Sequence, residues 1–432
     1  MPRVGLYTLG CKVSQYETEA IAEEFERKGF QVVGFDDFAD AYVINTCTVT
    51  AESDRKSRQM IRRAISKNKS AVVAAVGCYT QRSPSEVAAI EGVSVVLGTQ
   101  DKMKVVSLVE QRLRGELPSY VSAPSLDGAT FEPMCIERAP RTRGYVKIED
   151  GCECRCSYCA IADARGPVRS KPKDDIIAEV EALYKRGTSE IVLTGIETGS
   201  WGVDLGGGEG LADLILELDR RHSCDRLRLG SLAPELIGRS FVEKVKHASI
   251  LTPHFHLSMQ SGSDKILKLM RRRYLRARAL ENVALIRDAI PDVQLTTDLM
   301  VGFPSEEESD FLDTVSLLHE ARFLDAHVFA YSKRAATPAA SFPNQVEESV
   351  KKERSRILIE EKEKQKAQIL DELLKEGKPM SAILETYSDG SYSAHTDSFV
   401  EISVQAAPGR EGELIKVAPV SRKGGVLICK LI

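Results

Sequence analysis

No stretch of this 432-residue chain approaches the length of a membrane span. The opening residues, Met1-Pro2-Arg3-Val4-Gly5-Leu6-Tyr7, lack the apolar core of a signal peptide. An excess of one charge sign is also missing. The formal net charge is −4, so the surface is not globally basic and a nucleic-acid site must be a local patch. Ten cysteines without an export signal imply a reducing, cytoplasmic setting, in which thiols bind metals or catalyse rather than form disulfides. With 43% hydrophobic and 28% charged residues the composition is that of an ordinary globular protein, and the length suggests two to three domains.

The densest cysteine group is Gly151-Cys152-Glu153-Cys154-Arg155-Cys156-Ser157-Tyr158-Cys159. Cys152, Cys156 and Cys159 form a C-x₃-C-x₂-C array. Three thiolates this close can hold three irons of a [4Fe–4S] cubane and leave the fourth open to a substrate or cosubstrate. Zinc is the main competitor, with Cys154 as a fourth thiol. Zinc sites, however, use separated pairs or Cys/His pairs, and no histidine lies nearby. Cys154 falls inside the x₃ spacer and is not expected to be a ligand.

Residues 1 to about 115 read as alternating apolar strands (Val4–Leu9, Ala41–Ile44, Ala71–Val76, Val93–Leu97) and helices, which implies a parallel sheet covered on both faces. Ser14-Gln15-Tyr16-Glu17 reads as a capping box opening the first helix, and Ser83-Pro84-Ser85-Glu86 as a second helix start. A further helix is expected from Asp54. Cys11, Cys47 and Cys78 each stand just past a strand. The C-terminal strand edges of such a sheet point one way and bind ligands, so these three cysteines would converge. They form a candidate second three-cysteine Fe–S site, with Gly10 and Gly77 suited to close backbone approach by a bulky cofactor. The helix starting near Asp54 carries Arg55, Arg58 and Arg62 on one face. That face is either solvated or a phosphate-contacting ridge.

Residues 121–141 contain Pro124, Pro133 and Pro140 and read as a linker. From Arg143 six strands follow, each but the last succeeded by helix, which fits a parallel partial barrel of six βα units at residues 142–345. The cysteine loop follows the first strand. Gly195, Ser231, Gln260 and Gly302 follow later strands and would ring the same cavity. Arg165, Arg169 and the run Arg271-Arg272-Arg273 are candidate substrate-reading cations. Residues 346–375 read as a solvated connecting helix. From 376 to 432 the texture alternates, with turn signals Asp389-Gly390, Pro408-Gly409 and Gly424-Gly425, as in a small antiparallel OB-like β-barrel. This tail has six Lys or Arg against seven Asp or Glu, so RNA contact there would be local or shape-based.

Taken together, Leu9-Gly10-Cys11-Lys12-Val13, Asn45-Thr46-Cys47-Thr48-Val49-Thr50, Val76-Gly77-Cys78-Tyr79 and the cysteine loop ending Ala164-Arg165-Gly166 resemble the radical S-adenosylmethionine (SAM) methylthiotransferases. Gln260-Ser261-Gly262-Ser263-Asp264, Val301-Gly302-Phe303-Pro304 and Tyr331-Ser332-Lys333-Arg334 extend the resemblance over the whole chain. It implies an N-terminal auxiliary-cluster domain (1–120), a radical SAM domain (142–345) and a C-terminal TRAM-type domain (376–432). It implies two [4Fe–4S] clusters, one on Cys152, Cys156 and Cys159 and one on Cys11, Cys47 and Cys78, with SAM as both radical source and methyl donor. Gly-Cys-Lys-Val and Tyr-Val-Ile-Asn-Thr-Cys-Thr-Val-Thr look most like the branch acting on N6-threonylcarbamoyladenosine at tRNA position 37. tRNA, an external electron donor and a sulfur source would be the partners. The cluster loop departs from the family's usual pattern by the additional Cys154 and by Ala162 where proline is common. The alternatives are a methylthiotransferase for isopentenyladenosine or for a ribosomal-protein aspartate, or a non-catalytic Fe–S protein that binds RNA.

Overall fold

The computed structural model describes residues 1–140 and 142–432. Six strands open the chain: β1 (Arg3–Thr8), β2 (Gln31–Val33), β3 (Ala41–Thr46), β4 (Val72–Gly77), β5 (Val93–Leu97) and β6 (Tyr120–Ser122). They form one sheet in the order β2-β1-β3-β4-β5-β6, with every pair parallel. β3 and β4 are buried along their whole length. Helices cover both faces, as continuous Val/Ile/Ala runs require. Val43, Val72 and Val76 pack on one side, and Ile44, Val73 and Val96 on the other. Each such side chain contributes roughly 1.5–3 kcal/mol by leaving water.

Two short edge strands, β2 and β6, escape sequence reading because three residues each leave no apolar run. β6 also straddles the boundary read at residue 120. Two helix starts differ from expectation. The first helix, Lys12–Arg27, has Cys11 at its N-cap, so Ser14 and Glu17 lie inside it and are buried rather than forming a capping box. The second, Ala51–Lys67, starts earlier than Asp54 because the Thr50 side chain accepts from the Ser53 N–H. Pro84 does open a helix, Pro84–Ala88.

The middle of the chain supplies β7 (Arg143–Lys147), β8 (Glu149–Asp150), β9 (Arg169–Ser170), β10 (Glu190–Thr194), β11 (Arg226–Leu229), β12 (Ser231–Leu232), β13 (His254–Gln260), β14 (Gln294–Val301) and β15 (Asp325–Ala330). β11-β10-β7 and β12-β13-β14-β15 are parallel sheets joined through Gly230, which separates β11 from β12. Counted through that bend, six parallel strands run in chain order, the partial barrel that the spacing predicts. Alternation assigns their faces. Ile191, Leu193, Leu227, Leu229, Leu257, Leu295 and Leu299 join the outer core with the helices, so Glu190, Arg228, His256 and Asp298 turn inward. β8 and β9 pair antiparallel and clamp both ends of the segment that carries the cysteine loop.

The helix Glu348–Glu376 is not merely solvated. Leu358, Ile369 and Leu370 are buried, and Gln365 donates to the Leu318 and Phe323 carbonyls. Its charge lies on the remaining faces. The chain ends in β16 (Met380–Ser388), β17 (Ser391–Thr396), β18 (Glu401–Val404), β19 (Leu414–Lys423) and β20 (Val426–Leu431), a closed barrel in the order β16-β17-β18-β20-β19. All its pairs are antiparallel except β18 with β20. Asp389 and Gly390 make the expected turn, both at positive φ. Among the described residues no helix is long and apolar enough to cross a membrane.

Candidate active site

The loops after β1, β3 and β4 carry Cys11, Cys47 and Cys78 to one edge of the N-terminal sheet, where the strand order reverses around β1 and β3. Cys11 is exposed and the other two are buried. Gly10 has φ +109°, and a Cβ there would stand 3.2 Å from the Cys47 Sγ. The first two cysteine loops thus approach each other closely. Gly77 is at φ +105°, and a Cβ there would strike Asn45 Oδ1 at 2.5 Å. Protein atoms already occupy the space that these glycines leave. Ser57 holds the Cys47 backbone from both sides, accepting from its N–H at 3.3 Å and donating to its carbonyl at 3.2 Å.

Behind Cys78 lies a buried charge network. Arg165 Nε donates to the Cys78 sulfur at 3.1 Å, and its Nη1 reaches Glu17 at 2.5 Å and Asp150 at 3.1 Å. Glu17 also takes Lys102 and, at 2.9 Å, Lys147. Asp150 takes Lys147 at 2.6 Å and Arg169 at 3.4 Å. Four cations therefore meet two carboxylates in direct contact, and the excess positive charge faces a cysteine. Burial alone would push Glu17 up, but Arg165, Lys102 and Lys147 hold it well below the usual carboxylate range. Burial pushes the metal-free Cys78 thiol up to about 11, against the pull of Arg165.

This network corrects part of the sequence reading. Arg165 and Arg169 are buried and spent on Glu17, Asp150 and the backbone, so neither can contact RNA from the surface. Arg272 and Arg273 brace the cysteine loop instead, donating to the Cys156 sulfur at 3.4 Å and to the Glu153 carbonyl at 2.7 Å. Arg55 is exposed but paired with Glu52 at 2.5 Å, and Arg58 reaches Glu86 at 3.0 Å and the Tyr79 hydroxyl at 2.8 Å. Arg58, Arg62 and Lys69 line an open surface depression of about 750 Å³ with Glu86 and Glu91.

The Cys152 loop lines a cavity of about 380 Å³. Its walls include Cys152, Cys154, Cys156 and Cys159, the inward residues Gln260, Asp298, Met300, His327 and Phe329, and Tyr331 with Ser332. Val49 and Thr50, two and three residues past Cys47, complete the wall from the N-terminal sheet. That contact is pinned. Arg334 donates to Thr48 Oγ1 at 2.7 Å and to Asp54 Oδ2 at 2.6 Å, and Arg82 to the Ala335 carbonyl at 2.8 Å. One cavity therefore draws its wall both from the Cys152 loop and from the segment just past Cys47. Of the four residues expected to ring it, Gln260 lines it, in a left-handed conformation with φ +65°. Gly195 instead packs on Glu149, Gly302 on Lys351, and Ser231 is exposed at the start of β12.

Alternation and strand ends could have flagged residues that sequence reading passed over. Glu197 lies just past β10 in the cavity wall. Burial raises its carboxyl to about 8, although it accepts from the Ala233 N–H at 3.1 Å. Asp298 lies between His256 at 3.2 Å and His327 at 3.5 Å. Cys154 stands beside Cys152. The interaction between the two thiols lowers Cys154 to about 6 and raises Cys152.

These donor sets fit clusters better than single ions. Among the described residues no three His, Cys, Asp or Glu side chains are grouped as ligands of one metal ion. A cubane does not ask for that convergence, because each thiolate takes a different iron. Each trio also has an arginine donating to a sulfur, Arg165 to Cys78 and Arg272 to Cys156, as anionic thiolates require. Gln260 Oε1 and the Tyr331 hydroxyl are buried without a protein partner and border the cavity, ready for a ligand.

Comparisons with known proteins bear on both halves. Residues 3–98 match the uncharacterized protein family UPF0004, and residues 146–318 match the radical SAM superfamily. The chain is 37% identical over 422 residues to the threonylcarbamoyladenosine tRNA methylthiotransferase MtaB of Bacillus subtilis (strain 168), covering 96% of this chain and 93% of that one. It is 35% identical to the protein of the same name from Thermotoga maritima, covering 100% and 97%. A solved structure of the radical S-adenosylmethionine methyltransferase TsrM from Kitasatospora setae, with cobalamin and a [4Fe–4S] cluster bound, shares the fold at a TM-score of 0.58 and 17% identity, covering 79% of this chain and 77% of that one. The chain belongs to the radical SAM methylthiotransferase family, with the threonylcarbamoyladenosine tRNA methylthiotransferases as its matching branch.

Proposed function

We propose that this protein adds a methylthio group to C2 of N6-threonylcarbamoyladenosine at position 37 of tRNA, with SAM and two [4Fe–4S] clusters as cofactors. The observation that carries the reading is the shared cavity, walled by the Cys152 loop and by the residues just past Cys47. In this reading Cys152, Cys156 and Cys159 hold one cluster, and Cys11, Cys47 and Cys78 hold the other. When bound, the clusters supply the electron for reductive SAM cleavage and the sulfur that is transferred, chemistry that no side chain here can perform on an aromatic C–H.

The chain's own residues do the rest. Arg272 and Arg165 donate hydrogen bonds to cysteine sulfurs and stabilise their negative charge. Gln260 and Tyr331 offer unused polar atoms to a ligand, and Glu197 offers a buried carboxyl that a ligand ammonium would draw into its charged form. Val49, Ile161, Ile196, Met300 and Phe329 keep the cavity wall apolar and exclude water from reactive species. Arg62 and Lys69 are the exposed cations best placed for tRNA phosphates. An external electron donor and a sulfur source complete the cycle in the cytoplasm.

The test is anaerobic reconstitution followed by turnover on two tRNAs, one carrying threonylcarbamoyladenosine and one isopentenyladenosine. Methylthiolation of the first supports the reading. Methylthiolation of the second alone would give the isopentenyl alternative.

A further inference from the structure

The charge behind Cys78 does not cancel. Glu17 lies inside the first helix, Lys102 just before the helix Lys104–Leu113, and Lys147 at the end of β7. Asp150 lies in β8, Arg165 at the end of the helix Ile161–Arg165, and Arg169 in β9. These segments bring four cations onto two carboxylates, with side chains at most 4% exposed. Glu132 is the next carboxylate. It accepts from the Met103 N–H at 2.9 Å and faces Lys102, and burial raises its carboxyl. Even with Glu132 charged, the cations stay in excess. Arg165 brings that excess to the sulfur of Cys78, 3.1 Å from its Nε. The cations that brace the Cys152 loop are placed differently. Arg272 is half-buried and Arg273 exposed, so water and salt screen them.

Buried cations in excess are costly unless an anion completes them. A cubane held by three thiolates is such an anion, and positive charge and hydrogen bonds to its sulfurs favour an added electron. We infer that Lys102, Lys147, Arg165 and Arg169 are positioning residues that raise the reduction potential of the cluster on Cys11, Cys47 and Cys78, acting through the contact with Cys78. The inference rests on the function proposed above and gives it an electron acceptor. Replacing C–H by C–S leaves one electron over. The 5′-deoxyadenosyl radical takes the hydrogen atom, the carbon keeps one electron, and a thiolate brings two, of which the new bond uses one. The network makes room for the remaining electron at the auxiliary site, next to the cavity wall that Val49 and Thr50 build.

The experiment is a redox titration of the reconstituted full-length protein, followed by electron paramagnetic resonance and run without tRNA. The midpoint absent from Cys47→Ala belongs to the dispersed trio, and the one absent from Cys152→Ala to the loop. Lys102→Met should lower the first by about 59 mV, tenfold in a one-electron equilibrium, and leave the second in place. Glu17 keeps Arg165 and Lys147 in that variant. Lys102→Arg, which keeps the charge, should restore the wild-type midpoint. Glu17→Gln removes a negative charge and should move the first midpoint upward. An auxiliary midpoint unmoved in Lys102→Met, or two midpoints shifted equally, overturns the inference while leaving the proposed function standing. Should Lys102→Met lose the auxiliary cluster, Glu17→Gln decides, and an unmoved or lowered midpoint there overturns the inference. A wild type that holds one cluster removes the two-cluster reading and this inference with it.

Discussion

The two cysteine trios are put together in opposite ways. Cys152, Cys156 and Cys159 fall within eight consecutive residues, on a loop clamped by the β8–β9 ribbon, and they line an open cavity. Cys11, Cys47 and Cys78 come from three strand ends, and a sheet must form before they meet. The contiguous site is local and leans on Arg272 and Arg273. The dispersed site is global, and Arg165 fastens Cys78 to Glu17 of the first helix and to Asp150 beside the barrel loop. A site built from distant segments needs a buried scaffold of charge. A site built from one loop needs only its ends held.

The comparison breaks most sharply at the ligands. Cys152→Ala should abolish 5′-deoxyadenosine formation. Cys47→Ala should leave SAM cleavage in place while methylthiolation stops, each variant falling from about eight irons per chain to about four. Iron analysis and a SAM-cleavage assay check both. Retention of eight irons in Cys47→Ala would remove the dispersed site.

The next largest effect separates the two arginines. Arg165→Met should cost about 3–5 kcal/mol, because Glu17 and Asp150 lose a partner inside the protein. Arg272→Met, in a half-buried setting, should cost less and should instead loosen the Cys152 cluster. Chemical denaturation together with iron release by a chelator distinguishes them. Equal stability losses would mean that the dispersed site is no more dependent on its scaffold than the loop.

A third test concerns a charge cluster away from both sites. Burial would raise Glu190, but Arg228, Arg143 and Arg226 bring it down to about 2. A folded-state pKa below the ordinary 4.5 stabilises the protein fully above that value, and the contribution fades as pH falls from about 4.5 towards 2. Glu190→Gln should remove this acid-side slope and lower the melting temperature near pH 7, detaching the C-terminal barrel that Arg143 and Arg228 hold through Glu385 and the Thr396 carbonyl. Thermal melts from pH 7 to 3 measure it. The smallest effect belongs to Gln260→Ala, which removes one unused cavity acceptor. It should weaken SAM binding by about fivefold, the worth of a single hydrogen bond, with iron content unchanged.

Much of this was legible in the sequence, for physical reasons. Cys152, Cys156 and Cys159 announce themselves by spacing. The dispersed trio shows through its place after apolar strands, because parallel sheets gather their C-terminal edges. The six barrel strands follow from alternation of strand and helix. What stayed hidden depends on partners far away in the chain. Glu17 looks like a capping-box residue until Lys102, Lys147 and Arg165 are brought around it. Arg165 looks like a surface cation until Glu17, Asp150 and Cys78 enclose it. Glu190 carries a weak signal, a charge opening an otherwise apolar strand, and Glu197 another, a carboxylate just past a strand end.

The central claim is that both sites serve one transfer to tRNA. Mass spectrometry of tRNA nucleosides from a deletion strain, complemented in turn by wild type, Cys47→Ala and Cys152→Ala, tests it most directly. The account predicts that 2-methylthio-threonylcarbamoyladenosine disappears on deletion and returns with wild type alone. Persistence of that nucleoside in the deletion strain with no second gene for the activity, or its restoration by either cysteine variant, would contradict it.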